Sequence, residues 1–176
     1  MSQIDAKVLG FAAFSGTGKT TLLKQIIPLL KEKGLRVGLV KASHHGFEID
    51  RPGKDSHELR MAGASPVMLS SSRRRAIITE HAEIRERGLA EELAFFDQGS
   101  VDIILVEGFK QEGFPKIELH RPSLGKPLLF PDDPSIIAIA TDGALPVAPA
   151  IPQFDLNAPR PIADFILGHL RLHGTA

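Results

Sequence analysis

The chain has 176 residues, 43% of them hydrophobic, enough to bury an ordinary core within a single domain spanning 1–176. Its 21 basic residues balance 21 acidic ones, and this zero net charge lacks the basic excess expected of a protein that neutralises many nucleic-acid phosphates. The absence of cysteine excludes disulfides, iron–sulfur ligation, thiolate zinc sites and cysteine nucleophiles, and is compatible with the cytoplasm.

"MSQIDAKVLGFAAFSG" carries an acidic residue and no long apolar run, so it reads as a first strand and not as a signal peptide. No later run approaches the roughly 20 apolar residues that span a membrane, so a soluble chain with no membrane or nucleic-acid partner is expected. Within that start, "KVLGFAAF" has the length and apolarity of a strand buried on both faces. A glycine-rich turn follows, and then "KTTLLKQIIPLLKEKG" repeats Leu22, Leu23, Ile26, Ile27 and Leu30 at helical spacing. Gly34 supplies its stop, and Pro28 is expected to bend it. "LRVGLVKA" is a second buried strand. "SHHGFEIDRPGKD" is loop, after which Asp55 and Glu58 predict an N-cap and capping-box partner for a short helix reaching about Gly63. "SPVMLSS" and "RRAIIT" predict a hairpin turning at Ser71 to Arg74. "GLAEELAFFDQG" predicts a helix and "VDIILVEGF" another buried strand. "PKIELHRP" alternates, which predicts an edge strand, exposed for pairing with a second copy or protected by charge. A long loop from Pro122 to Pro134, the strand "SIIAIAT" and an amphipathic helix in "NAPRPIADFILGHLRLHG" complete the chain. Apolar strands alternating with helices give an α/β fold, a mostly parallel sheet flanked by helices, with ligands beyond the carboxyl ends of the strands.

The chemistry gathers at those ends. "AFSGTGKTTLL" matches the second half of the P-loop motif through Gly18, Lys19 and Thr20, with Gly16 adding freedom. Ala13 stands where the motif has its first glycine, so the loop is expected to start with ordinary right-handed geometry. Successive N–H groups from Gly16 to Thr20 converge on phosphate oxygens at a helix N-terminus. Lys19 would reach the β and γ phosphates and the Thr20 hydroxyl would ligate Mg²⁺. The nucleotide-binding set is Ser15, Gly16, Thr17, Gly18, Lys19, Thr20 and Thr21, extended by Lys41 and Asp142. Glu107 ends the strand "IILVE" and is the acidic partner, binding Mg²⁺ directly or through water, with Gly108 permitting close approach; Asp102 lies at the opposite end of that strand. Lys41 ends the second strand and adds charge beside the phosphates, and Asp50 could reach Mg²⁺ as residues of switch loops do. His44 and His45, with His57, fit a metal site, substrate contacts or a solvated loop. Arg73 to Arg75 form either a solvated turn or an anion clamp. Asp142, after "IAIAT", could accept hydrogen bonds from guanine N1 and N2, a hint of guanine preference.

"FAAFSGTGKTTLLKQIIPLL", "GLVKASHH", "DRPGKDSHELRMAGA", "DIILVEGFK" and "IAIATD" together resemble, in order and over nearly the whole chain, the MobB family of molybdopterin-guanine dinucleotide biosynthesis adaptor proteins. Ala42 and Ser43 depart from that family's lysine–histidine segment. The resemblance implies a P-loop NTPase fold of the group that includes dethiobiotin synthetase and metal-insertion GTPases. It also implies GTP binding with weak hydrolysis, a homodimer, and work beside the MobA-type guanylyltransferase on molybdopterin. Gly16 to Thr21 would hold the phosphates and Mg²⁺, with Lys41 and Asp50 flanking them and Glu107 as the acidic, catalytic partner of Lys19. With no obvious arginine finger beside the P-loop, slow turnover is the expectation. The competing readings are an ATP-dependent small-metabolite kinase or synthetase, supported by "VEG" and "SSRRR", and a metal-insertion chaperone served by His44 and His45.

Overall fold

Strand β1 (Lys7–Ala13) is apolar after Lys7 because a strand lies on either side of it and its faces are covered from Leu9 onward. The structure, a computed structural model, describes residues 7–43 and 46–172. Helix α1 (Lys19–Glu32) follows the glycine turn, runs unbroken through Pro28, and buries Leu22, Leu23, Ile26 and Leu30 against β1. Gly34, at φ 84°, ends it, its own amide donating to the Lys31 carbonyl and the Leu35 amide to that of Leu30. Strands β2 (Val37–Lys41), β5 (Ile103–Glu107), β6 (Lys116–His120), β7 (Ile136–Thr141) and a short β8 (Gln153–Asp155) complete a six-stranded sheet in the order β2-β5-β1-β6-β7-β8. Every pairing in it is parallel.

One face of the sheet packs on α1 and the last helix, α4 (Pro159–Leu172), around Leu9, Phe11, Leu105, Ile117 and Leu119. The other face carries Ile104 and Val106 beneath α3 (Leu89–Leu93), which is shorter than the sequence suggests because its helical pattern breaks into turns before Gln98. Arg36, just before β2, is tied to Asp102 at the entry of β5, and that guanidinium holds the Asp102 carboxyl down at about 2.

The described chain divides into two compact units, one up to Ala42 and from Gly88 onward, and the other Ser43–Arg87. The smaller unit holds α2 (Asp55–Met61) and the antiparallel hairpin of β3 (Val67–Ser70) and β4 (Arg75–Ile78), closed by the Ser71 amide donating to the Arg74 carbonyl. Asp55 is not the cap of α2: Lys54 takes that position without a side-chain bond, Asp55 falls in the first turn, and Glu58 instead accepts from the Gly53 amide. The cause is the extended backbone at Lys54, which makes that residue the cap and starts the helix one residue earlier than the capping pattern implies.

The edge-strand expectation for "PKIELH" is overturned. β6 lies between β1 and β7, and all five of its residues are buried. Its polar residues alternate because one face of the strand meets a polar loop in place of solvent. Lys116 Nζ donates to the Lys110 and Glu112 carbonyls and pairs with Asp133 at 2.8 Å. The Glu118 carboxylate accepts from the Leu129 and Phe130 amides. β6 is therefore unavailable for pairing with a second copy.

Candidate functional site

Four parallel strands deliver the candidate residues to one edge of the larger unit. β1 ends at Ala13 and opens the glycine loop, β2 ends at Lys41, β5 at Glu107, and β7 leads into Asp142. Register aligns Lys41 directly beside Glu107 across β2 and β5.

Gly16 and Gly18 take positive φ angles of 82° and 98°, while Ala13 belongs to the strand and has none. The loop thus starts as expected, in geometry open to alanine. Alternation of hand around Thr17 turns its neighbouring peptides so that successive N–H groups can face one anion, the arrangement called a nest. Thr17 is only 2% exposed, and its hydroxyl donates to the Phe14 carbonyl at 2.8 Å, pinning the loop from within. Gly18 caps α1, so the concave side of the loop coincides with the positive end of a helix. The resulting hollow, about 310 Å³, is lined by residues 14–21 together with Glu107. It is mostly polar, as a phosphate cradle requires.

Glu107 Oε1 is bridged by two ammonium groups, Lys19 Nζ at 3.3 Å and Lys41 Nζ at 3.4 Å. Lys19 and Glu107 are largely buried and Lys41 is exposed. A carboxylate shared by two lysines balances charge that a polyanion would otherwise draw on, so ligand phosphates would compete with Glu107 for Lys19. Gly108, at φ 101°, follows at once; a Cβ there would stand 2.6 Å from the Ala42 Cβ, which accounts for the close approach expected of it. The next residue, Phe109, has φ 53°, strained backbone beside the cradle. Lys110 and Lys126 lie 5.5 and 6.0 Å from the Phe14 ring centre and add positive charge at the start of the loop.

Arg121 is the residue that sequence reasoning missed: an arginine beside the P-loop, though one engaged by protein groups and not placed as an arginine finger. It directly follows β6; its Nε donates to the Thr17 carbonyl at 2.7 Å and its Nη1 pairs with Asp142. The signal was present as the first residue after an alternating strand, but an edge-strand reading placed that strand away from the loop.

Asp50 belongs to the smaller unit and is buried there against Arg60, whose Nη2 and Nε donate to its two oxygens at 3.0 and 3.4 Å. Those hydrogen bonds hold its carboxyl below the ordinary carboxylate range. Arg60 also binds Glu48 and Glu80, both at 2.5 Å. Asp50 is therefore a member of an ion-pair cluster that organises its own unit. Arg73 to Arg75 lie at the exposed hairpin turn, where the Ser71 hydroxyl accepts the Arg73 and Arg74 amides. His44 and His45 lie outside the described residues. Among the described residues no group of three or more His, Asp or Glu could hold a metal ion, and no helix is long and apolar enough to cross a membrane.

Comparison with known proteins follows the same residues. The family model described as molybdopterin guanine dinucleotide synthesis protein B (MobB) matches residues 8–142. The molybdopterin-guanine dinucleotide biosynthesis adapter protein of Escherichia coli (strain K12) is 44% identical over 161 residues, covering 91% of each chain. Its namesake from Haemophilus influenzae is 42% identical over 169 residues, covering 95% of this chain and 92% of the relative. Among solved structures, a molybdopterin-guanine biosynthesis protein B superposes with a TM-score of 0.70 at 25% identity, covering 92% of this chain and 99% of that one. A MobB homolog from Bacillus stearothermophilus gives 0.69 at 24% identity over 94% and 99%, a likeness of fold.

Proposed function

The chain belongs to the molybdopterin guanine dinucleotide synthesis protein B family, adapters in molybdenum cofactor biosynthesis, and from that premise we propose that it acts there as a Mg²⁺-dependent GTP-binding adapter. The observation that carries the nucleotide reading is the cradle itself: the nest of residues 14–21 at the N-terminus of α1, with Lys19 and Lys41 converging on Glu107.

In this reading Ser15 to Thr21 wrap the phosphates, Lys19 leaves Glu107 for the β and γ oxygens, and Lys41 adds charge from the neighbouring strand. Mg²⁺ prefers oxygen ligands and keeps several waters, and the exposed Thr20 hydroxyl and the Glu107 carboxylate fit that donor set. Such an ion, when bound, neutralises phosphate charge. The commitment of Asp50 to Arg60 argues for Glu107 as the principal protein carboxylate. Asp142 supplies the acceptor for a guanine edge. Hydrolysis is slow in this reading, because Arg121 donates to the Thr17 carbonyl and to Asp142 and is not committed to a transferring phosphoryl group.

The partners are the enzymes of the pathway, foremost a guanylyltransferase of the MobA type acting on molybdopterin, in keeping with the relatives' names as adapters. A homodimer is supported by the smaller unit, whose large apolar residues Phe47, Ile49, Leu59, Met61, Met68 and Ile77 are all exposed.

Thermal unfolding with GTP, ATP or neither, in Mg²⁺, tests the nucleotide reading on wild type and Lys19→Ala. At 100-fold above its dissociation constant GTP adds about 2.7 kcal/mol to the folded state. Stabilisation by GTP that is lost in Lys19→Ala is the expected result. Stabilisation by ATP alone would remove the guanine assignment and favour a kinase or synthetase.

A further inference from the structure

We propose that Arg121 is a positioning residue that couples the phosphate end of the site to its base-recognition end, so that guanine selectivity and phosphate affinity rise and fall together. This inference rests on the nucleotide reading above.

In a nest the N–H groups face the anion and the carbonyls turn outward, where each needs a donor. The Thr17 peptide lies between the two left-handed glycines, and its carbonyl receives Arg121 Nε at 2.7 Å. The same guanidinium passes over Gly18: its Nη2 lies 3.3 Å from where a Cβ on that glycine would stand. The φ of 98° is what requires glycine at position 18, and the absence of a Cβ there also leaves the guanidinium its close approach. Through Nη1 the group pairs with Asp142 Oδ2, while Oδ1 makes no hydrogen bond among the described residues.

The Arg121 and Asp142 side chains are partly covered, at 29% and 23% exposure, so the pair is less screened than one on the open surface. One planar fork thus serves two elements far apart in the chain, the loop after β1 and the end of β7. A lysine, with a single ammonium, would serve one direction or the other. If the loop closes on phosphates, Thr17 fixes Arg121, Arg121 fixes Asp142, and the free carboxylate oxygen is ready for the amino edge of guanine. Coupling of this kind is reciprocal: whatever the base end gives to the phosphate end, the phosphate end gives back.

The test measures dissociation constants of Mg·GTP, Mg·ATP and inorganic triphosphate by calorimetry for wild type, Arg121→Ala, Arg121→Lys, Asp142→Asn and the Arg121→Ala/Asp142→Asn double variant. Circular dichroism checks that each is folded. Arg121→Ala is expected to lower the preference for GTP over ATP by about tenfold, the scale on which a site loses discrimination when a hydrogen-bonding group is misplaced. Arg121→Lys should fall between the two. The double variant should discriminate no worse than Asp142→Asn alone, since coupled residues are not additive.

Asp142→Asn supplies the sharper sign. Removing a negative charge near the cradle would, by Coulomb's law alone, strengthen triphosphate binding. The coupling requires that it weaken. Equal losses for all three ligands in Arg121→Ala would reduce Arg121 to a prop for the loop and overturn the inference while leaving the nucleotide site intact. Tighter triphosphate binding by Asp142→Asn would do the same. Wild type that binds none of the three ligands would overturn both readings.

Discussion

Gly108 shows how much a single residue can carry at this site. It holds φ at 101° and lets the backbone after β5 come against Ala42, where an added Cβ would meet the Ala42 Cβ at 2.6 Å. Gly108→Ala is expected to destabilise by roughly 3 kcal/mol, combining about 1–2 for the left-handed backbone with 1–3 for overpacking. Urea unfolding measures this, and Gly108→Ala in an Ala42→Gly background should recover only the packing part. A loss below 0.5 kcal/mol would mean that the two strand ends separate freely. Gly108 and the alanine at position 13 were legible in the sequence because both demands are local, one a close approach beside a strand end and the other an ordinary φ. Arg121 was not legible in this way. Its two partners, Thr17 and Asp142, lie 104 residues before it and 21 after it, and no spacing rule connects them.

The elements tell a similar story. β1, β5 and β7 announce themselves as apolar runs because apolar neighbours bury them, and α1 and α4 by their helical stripes; β2 reads as an equally apolar run but is an edge strand, with Leu39 exposed. β6 misled because its alternation is real but has a different cause. Lys116, Glu118 and His120 are buried; amides of the loop that follows satisfy Glu118, and Lys116 pairs with Asp133 of that loop and donates to the Lys110 and Glu112 carbonyls before the strand. Burial pushes the Glu118 carboxyl above its ordinary value, against the pull of the two amides that it accepts. Asp133, whose charge burial opposes, is nonetheless held below its ordinary range by Lys116 and Ser135. β8 escaped notice because three residues after a proline give no period to read. Since Glu118 uses both oxygens as acceptors, Glu118→Gln puts an NH₂ donor against one of the loop amides. The expected cost is about 1–3 kcal/mol, that of a buried unsatisfied group. Hydrogen exchange should quicken at Leu129 and Phe130 ahead of the sheet amides. Unchanged exchange at those two residues would show that Glu118 does not hold the loop.

At the scale of the whole molecule, the larger unit has a continuous apolar core and the smaller one does not. Within Ser43–Arg87 the buried residues among those described are Asp50 and Arg60, and the cluster they form with Glu48 and Glu80 is ionic. A buried ion pair fixes geometry better than it stabilises, because desolvation offsets most of its attraction. Hairpin and helix meanwhile leave Phe47, Ile49, Leu59, Met61, Met68 and Ile77 in solvent. Apolar exposure of this kind marks an interaction surface. A second copy of the chain is the occupant proposed above, and β6, enclosed within the sheet, cannot provide the contact by edge pairing. Sedimentation equilibrium should therefore report a dimer for the wild-type chain. The Met61→Glu/Ile77→Lys double variant, which places charges on exposed apolar positions of this unit, should shift the equilibrium towards monomer by at least tenfold in dissociation constant. Its thermal response to GTP should persist, because neither residue belongs to the cradle. A wild-type monomer at tens of micromolar would remove the dimer. A variant that stays dimeric would move the interface off the smaller unit.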